Sequence, residues 1–234
     1  MTYTDEELKA DIEKVKQIPI VGTMLEVICR STGMGFAAIA RVTEDRWIAC
    51  GVRDEINFGL VPGSELEIKS TICNEIRDSG KPVIIDHVEK DEYFCNHHTP
   101  KKYGFQSYIS VPIVLNTGEF FGTLCAIDPK PARVSDPKIT GMFMLFAQLV
   151  AFHLQALDLI DSSYSQLNEA RQENKRYEHL TYHSLREPLR KISLYSDMLV
   201  QDNNLAEGSN LKNIAADIHR FSQELAMMLR RSNV

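Results

Sequence analysis

The sequence predicts an α+β domain, with an antiparallel sheet packed between helices, followed by an all-helical region. Between about Pro19 and Pro131, helix-like and strand-like segments alternate with turns, as in an α+β sandwich. Beyond Ser135 strand-like segments almost disappear, and the helical pattern runs for about 65 residues, or about 100 Å at 1.5 Å per residue. A helix of that length is typical of coiled coils and helical bundles rather than of one globular domain.

The elements of the first part can be assigned in order. Residues 1–18 are charged and predict an N-terminal helix, and residues 19–157 form the α+β domain. The predicted elements of this domain are a helix in PIVGTMLEVICRSTG, two strands in FAAIARVTEDRWIACGV, a short helix in STICNEIRDSGKP, a strand in VIIDHV and a β-hairpin in FQSYISVPIVLNTGEFFGTLCAID. The helix before the sheet and the helices after it are expected to cover the two faces of the sheet.

The second part predicts a long helix and a returning one. Apolar residues recur at spacings of three and four from Leu149 to Leu180, so residues 158–175 are expected to form a coiled-coil helix. In residues 176–234 the segment DNNLAEGSN predicts a turn between two amphipathic helices. Two such hairpins make a dimeric four-helix bundle, so we expect a parallel homodimer.

The composition narrows the classes of function. The chain has 234 residues, 44% of them hydrophobic, and a net charge of -6, which disfavours a nucleic-acid-binding surface. We expect no membrane span, since no run of about 18 apolar residues is evident, and no signal peptide. The five cysteines show no C-x-x-C spacing, which favours a reducing cytoplasm.

Two segments resemble known families. YGFQSYISVPIVLNTGEFFGTLCAIDPKPA, preceded by SGKPVIIDHV, resembles the closing half of a GAF domain, a small-molecule-sensing fold with a central antiparallel sheet. HSLREPLRKI resembles the phosphoacceptor box of sensor histidine kinases, and IHRFSQELAMMLRRSNV resembles the second helix of their dimerisation and phosphotransfer domain. Together they imply a GAF-domain sensor histidine kinase that passes a phosphoryl group to the receiver domain of a response regulator.

The box assigns roles to five residues. The resemblance implies that His183 is the phosphoacceptor, with Arg186 and Pro188 as further box residues. Ser184 stands where the family usually has an acid, and Glu187, four residues after His183 and on the same helix face, is expected to compensate. Pro188 removes a helical hydrogen bond, so a bend just beyond His183 is expected.

The family's ATP-binding domain has no counterpart in the sequence, because neither of the common Gly-rich phosphate-binding patterns occurs. ATP is therefore expected only for the complete kinase, with the nucleotide bound by a separate domain. The chain alone should not phosphorylate itself. It reads as a fragment excised from a longer kinase, or as one that a partner completes.

The sensor domain contains one cluster of chemically versatile residues, in DHVEKDEYFCNHHTPKKYG. Four alternatives stay open for it: a polar loop, a transition-metal site, a bilin chromophore or a small ligand under the loop. We expect no metal, since C-x-H-H matches no zinc pattern, and no bilin, since Asn96 separates Cys95 from the next histidine. The candidate pocket residues are His87, Cys95, His97, His98 and Tyr103.

Two other functions compete with the kinase. The first is a non-catalytic GAF module that binds a ligand and dimerises. The second is a free methionine sulfoxide reductase, which requires clustered pocket cysteines. Cys29, Cys50, Cys73 and Cys125 are expected at core positions on separate elements, which argues against the reductase.

Overall fold

The computed structural model describes residues 3–201 and 210–231, except for the side chains of residues 178–183 and 229–231. The chain divides into two compact units, residues 1–160 and 161–234. The predicted turn DNNLAEGSN lies, except for Asn210, outside the described residues.

The described chain contains six helices and six strands. The helices are α1 (Asp5–Gln17), α2 (Val21–Thr32), α3 (Ile72–Ser79), α4 (His98–Tyr103), α5 (Pro137–Gln201) and α6 (Asn210–Arg231). The strands are β1 (Phe36–Val42), β2 (Trp47–Asp54), β3 (Glu65–Leu66), β4 (Val83–Ile85), β5 (Ser107–Val114) and β6 (Phe120–Asp128). All strand pairs are antiparallel, in the order β3-β2-β1-β6-β5-β4. The predicted α+β sandwich is confirmed.

Capping residues determine where α1 begins and where α2 ends. Thr4 caps α1 through its side chain, which accepts from the Glu7 backbone N–H, while the Glu7 carboxylate accepts from the Thr4 N–H. Gly33 ends α2 in the left-handed conformation, with φ of 73°. Local interactions therefore define the start of α1 and the end of α2.

The central strand β1 is buried along its whole length. Its alternate side chains point to opposite faces of the sheet and pack into two separate cores. One core, which includes Ala37 and Ile39, is covered by α1, α2 and the start of α5. The other, which includes Phe36 and Ala38, lies under α3 and its neighbouring loops. This second core is less completely filled and contains the candidate ligand site.

β1 and β6 approach unusually closely next to an irregularity in the sheet. β1 has a bulge between Ile39 and Ala40 against β2, and Arg41 pairs with Gly122 of β6. A Cβ added at Gly122 would collide with the carbonyl oxygen of Ala40. Only glycine fits at this place in the sheet.

The N-terminal helix is part of the first unit. Leu8 and Val15 of α1 are buried, and Asp11 accepts a 2.8 Å hydrogen bond from Nε of Arg41, whose side chain is 4% exposed. The helix predicted within residues 1–18 thus covers the sheet and lies in the first compact unit.

The start of α5 packs in the first core, through Phe143, Val150 and Leu154 among others. By length and composition alone, a stretch of α5 within Pro137–Tyr177 could cross a membrane, with a mean hydropathy of 1.6. The expectation of no membrane-spanning segment therefore does not follow from the length and composition of this helix. Several of its apolar side chains are covered by the sheet, as in the core helix of a folded domain.

The second unit pairs the end of α5 with α6 through small buried residues, Ser196, Ala215 and Ser222. His219 Nδ1 lies 3.1 Å from the carbonyl oxygen of Ser193, and Gln223 Nε2 lies 2.7 Å from His219 Nε2. Since a carbonyl only accepts and an amide nitrogen only donates, these contacts select the neutral tautomer with the proton on Nδ1. The contacts between α5 and α6 show that the predicted pair of helices forms within one chain.

Candidate functional site

The sensor unit has a small cavity between the sheet and α3. Its volume is about 40 Å³. Its walls are formed by Phe36, Trp47, Phe58, Leu60, Leu66, Thr71, Ile72, Cys73, Thr99, Tyr103, Phe105, Tyr108, Cys125 and Ile127. A water needs about 10–15 Å³ of such space, so the cavity accommodates about three or four waters. In this form it is far smaller than the roughly 300 Å³ of ordinary small-molecule pockets.

Several polar groups converge on one sulfur atom at the cavity wall. Thr123 Oγ1 lies 3.3 Å from Cys73 Sγ, and the Tyr108 hydroxyl lies 3.5 Å from it. Cys125 lines the same cavity, and its thiol donates to the Ala38 carbonyl oxygen from 3.6 Å. Trp47 Nε1 is buried nearby and has no partner of ordinary hydrogen-bond geometry in the described chain. An otherwise apolar cavity thus has donors gathered around Cys73.

The surroundings of the two cysteines shift their pKa values in opposite directions. The neighbouring Cys125 thiol, with the hydroxyl groups of Thr123 and Tyr108, outweighs burial and lowers the pKa of Cys73. The neighbouring Cys73 sulfur and burial raise the pKa of Cys125 well above its usual value. Burial also raises the pKa of Tyr108. Cys73 is therefore the thiol of this pair that loses its proton more readily.

The segment Glu55–Ser64, which we call the lid, covers one side of the cavity with Phe58 and Leu60. Asp54 anchors its first half, because its carboxylate accepts from the N–H groups of Ile56, Phe58 and Gly59 at 2.8–3.1 Å. On the other side of these two side chains lies an outer groove of about 420 Å³. The lid therefore separates a solvent-facing groove from the inner cavity.

The loop residues chosen from the sequence have different positions. Tyr103 lines the cavity, and its hydroxyl lies 2.6 Å from Ser70 Oγ. His97 Nε2 lies 2.8 Å from Glu75, and His98 Nε2 lies 3.2 Å from the Lys69 carbonyl oxygen. These two histidines fasten the loop to the segment around α3 and do not line the cavity.

The remaining two candidates also lie outside the cavity walls. His87 Nε2 is 3.8 Å from Glu89, and Cys95 is half-buried with Asn96 Nδ2 3.5 Å from its sulfur. Among the described residues, no three His, Cys, Asp or Glu side chains are grouped to hold a metal ion. Cys95, the residue considered for bilin attachment, is not among the residues that line the cavity.

The second candidate site lies on α5. His183 belongs to this helix, but its side chain is outside the described residues. Glu187 lies 3.2 Å from Arg190 and 3.7 Å from Lys191, and the hydrogen bond from Arg190 lowers the pKa of Glu187. Pro188 stands inside the helix, and Ser184 is exposed. Glu187 is therefore a charged carboxylate with basic neighbours on its C-terminal side.

A groove of about 410 Å³ runs between the paired parts of α5 and α6. Arg186 and Arg190 contribute basic groups to it, and His219 and Asp197 lie along it as well. Because Arg186 and Arg190 flank the Glu187–Pro188 step, the groove begins beside the predicted phosphoacceptor segment.

Both paired helices expose apolar side chains at coiled-coil spacing. On α6, Leu211, Ile214, Ile218, Phe221, Leu225 and Met228 are separated by alternating three and four residues and are 44–67% exposed. On α5, Leu185, Ile192 and Leu199 are seven residues apart and 43–51% exposed. We call these two rows the apolar seam; within one described chain, it is left largely uncovered.

The comparisons with known proteins concern the first unit. The family model "GAF domain" matches residues 18–154. The blue-light absorbing form of the Thermosynechococcus elongatus PixJ GAF-domain is similar, with 13% identity and a TM-score of 0.52, over 72% of this chain and 98% of that one. The GAF domain from Acinetobacter phosphoenolpyruvate-protein phosphotransferase has 12% identity and a TM-score of 0.48, over 69% and 99%.

A longer structure is similar as well. Bacteriophytochrome RpBphP3 from R. palustris has 13% identity and a TM-score of 0.52, over 76% of this chain. The similar region spans 44% of that protein. No curated protein sequence matches the chain. Identities this low support the fold alone.

Proposed function

Because the chain belongs to the GAF-domain family, a family of ligand-binding and signalling modules, we propose that it is the sensory and phosphoacceptor part of a two-component histidine kinase. The GAF unit regulates phosphorylation of His183, which passes the phosphoryl group to an aspartate of a response-regulator receiver domain. The observation that carries this proposal is HSLREPLRKI, located in α5 just before a second amphipathic helix. The setting is proposed to be cytoplasmic.

The helical register supports a role for Glu187. Residues four apart on a helix share a face, so His183 and Glu187 are neighbours along α5. A carboxylate beside an imidazole holds a proton on one ring nitrogen and leaves the other free to attack phosphorus. Arg190 also binds this carboxylate. His183 is therefore ready to react only while Glu187 contacts His183 instead of Arg190.

The apolar seam supports a homodimer. Small residues form the contact between α5 and α6 within the chain, and the large apolar residues point elsewhere. Exposed apolar patches of this extent mark interaction surfaces. A second copy fits best, because spacings of three and four on α6 and of seven on α5 are what a four-helix bundle buries.

The basic groove beside His183 supports docking of other domains. Arg186 and Arg190 suit an acidic surface, such as the phosphate groups of ATP held by a kinase domain or the acidic site of a receiver domain. The chain itself offers no Gly-rich phosphate-binding pattern in its sequence. ATP would therefore enter with a separate ATP-binding domain, and a small ligand in the GAF cavity would modulate the reaction.

The test is phosphoryl transfer in trans. The full chain should remain unlabelled with radioactive ATP alone and should gain an acid-labile label when a histidine-kinase ATP-binding domain is added. His183→Gln should abolish the label, whereas His179→Gln, a matched change one helical turn earlier, should leave it largely intact. Label that survives in His183→Gln contradicts the site.

A second variant tests the acid. Glu187→Gln should slow labelling about 10²-fold, the usual scale for a positioned acid–base group. Arg190→Gln, which releases the same carboxylate from its ion pair, should leave the rate equal or faster. An unchanged rate in Glu187→Gln would remove Glu187 from the mechanism and leave His183 in place.

The alternative function is a non-catalytic GAF ligand-binding and dimerisation module. Ser184 favours this alternative, since it replaces the acid that the resembled box usually contains. A chain that forms a dimer yet accepts no phosphoryl group from any supplied ATP-binding domain would establish the alternative.

A further inference from the structure

Two cysteines that lie far apart in the sequence meet at the wall of the inner cavity. Cys73 comes from α3 and Cys125 from β6, and each is 4% exposed. Both cysteines line the inner cavity, where the Cys125 thiol donates to the Ala38 carbonyl oxygen from 3.6 Å. Thr123, two residues before Cys125 on the same face of β6, donates to the Cys73 sulfur from 3.3 Å.

We propose that Cys73 and Cys125 form a dithiol site that reacts with hydrogen peroxide, with Cys73 as the attacking sulfur and Cys125 as the resolving one. The site is independent of His183 and uses no residue of the proposed phosphoryl transfer. It assigns a chemical role to the polar cluster in an otherwise apolar cavity.

The reaction balances in two steps. The Cys73 thiolate attacks one peroxide oxygen, the O–O bond breaks, and the hydroxide that leaves takes up a proton to form water, giving a Cys73 sulfenic acid. The Cys125 thiol then attacks the Cys73 sulfur, the S–O bond breaks, and a second water leaves. The two cysteines lose two electrons and two protons to form one disulfide, and the peroxide becomes two waters.

The environment distinguishes Cys73 from the other buried thiols. Hydrogen bonds from the hydroxyl groups of Thr123 and Tyr108 stabilise its thiolate, the reactive form. Burial instead raises the pKa of Cys29 to about 11 and that of Cys50 to about 12, so both remain thiols. Burial alone would make Cys73 equally inert, and the surrounding donors reverse that effect.

The cavity selects the oxidant by size. Its volume of about 40 Å³ admits a molecule of two heavy atoms but excludes glutathione disulfide or a bulky organic hydroperoxide. The oxidant has to pass the lid, where Phe58 and Leu60 separate the cavity from the outer groove. Access therefore depends on movement of these two side chains.

The experiment uses the reduced full chain, a few equivalents of hydrogen peroxide, and alkylation of the remaining thiols under denaturing conditions. Mass spectrometry should find a Cys73–Cys125 cross-linked peptide and a mass lower by two hydrogen atoms. Cys73→Ser should abolish this product, Cys125→Ser should stop at a sulfenic acid on Cys73, and Cys50→Ser, a matched buried change elsewhere, should behave as wild type. Oxidation confined to the more exposed Cys95 would overturn the proposal.

Rates supply a second readout that does not depend on deleting a cysteine. The wild-type rate should reach its plateau well below about pH 8.5, the pKa of a free thiol, because the hydrogen bonds to Cys73 lower its pKa and the thiolate fraction saturates above it. Thr123→Val should slow the reaction about threefold, as a higher pKa leaves less thiolate but a more nucleophilic one. Tert-butyl hydroperoxide should react at least about tenfold more slowly than hydrogen peroxide. A rate that rises only near pH 9, or is indifferent to oxidant size, would refute the site.

Discussion

Arg41 is a charged residue in the interior of the sensor unit. Its Nε donates to Asp11, an Nη donates to the carbonyl oxygen of Phe121, and its guanidinium lies 4.4 Å and 4.9 Å from the ring centres of Tyr3 and Phe121. Burial raises the pKa of Asp11 against the attraction of Arg41. Breaking such a pair is more harmful than replacing it, because the remaining charge stays buried.

We therefore expect Asp11→Ala to lower the free energy of unfolding by about 3 kcal/mol. The double variant Asp11→Leu with Arg41→Met should recover most of that loss. Glu13→Ala, which removes an exposed ion pair on the same helix, should change stability by less than about 1 kcal/mol. Urea denaturation measures all three, and an Asp11→Ala variant no less stable than Glu13→Ala would contradict the account.

At the level of elements, α5 combines a favourable first proline with an unfavourable internal one. Pro137 is the first residue of the helix, where a proline loses no hydrogen bond, and Pro188 lies deep inside it. The internal ring removes a donor and crowds the preceding turn. Its presence beside His183 is consistent with a segment kept adjustable for phosphoryl transfer.

Pro188→Ala should stabilise the helical unit by about 3 kcal/mol and, at the same time, slow labelling of His183. The matched variant Pro137→Ala should leave both nearly unchanged. Hydrogen exchange of the α5 amides and the labelling assay provide the two measurements. Faster labelling together with a more stable helix would show that the proline does not serve the reaction.

Elements with a strong local pattern could be predicted from the sequence, and those made by tertiary contact could not. The apolar runs of β1, β2, β5 and β6 and the long α5 were predicted from periodicity and length. The two-residue β3 and the six-residue α4 were missed, since each spans fewer than two repeats of such a pattern.

The candidate site shows the same limit. The aromatic lining was foreseen through Tyr103, and the sequence drew attention to the His87–His98 loop because its histidines are adjacent. The cysteines lie on separate elements, as predicted, but the fold brings Cys73 of α3 and Cys125 of β6 to the wall of one cavity. Strand pairing and helix placement decide that proximity, and no spacing within the chain encodes it.

In the whole molecule, the apolar side chains left uncovered are concentrated on the two helices of the second unit. Phe221 is 55% exposed and lies in the middle of the α6 row, so a charge there would be buried in a bundle of two copies. Asn213 is also exposed on α6 but lies outside the row.

Phe221→Asp should therefore convert a dimer into a monomer at micromolar concentration, while Asn213→Asp should leave the dimer intact. Light scattering after size-exclusion chromatography measures the mass of each. Wild-type protein that is monomeric at that concentration would exclude the bundle. A dimer unaffected by Phe221→Asp would move the interface away from the apolar seam.

The contact between Gly122 and Ala40 limits how information can leave the sensor. If β6 slid along β1 by two residues, the smallest slide that keeps the side chains on their faces, Phe120 or Leu124 would bring a Cβ against the Ala40 carbonyl oxygen. Transmission by strand sliding is therefore sterically forbidden at the centre of the sheet. β1 and β6 must respond to an event in the cavity as one rigid pair, and only the helices and loops around them are left to carry the signal outward.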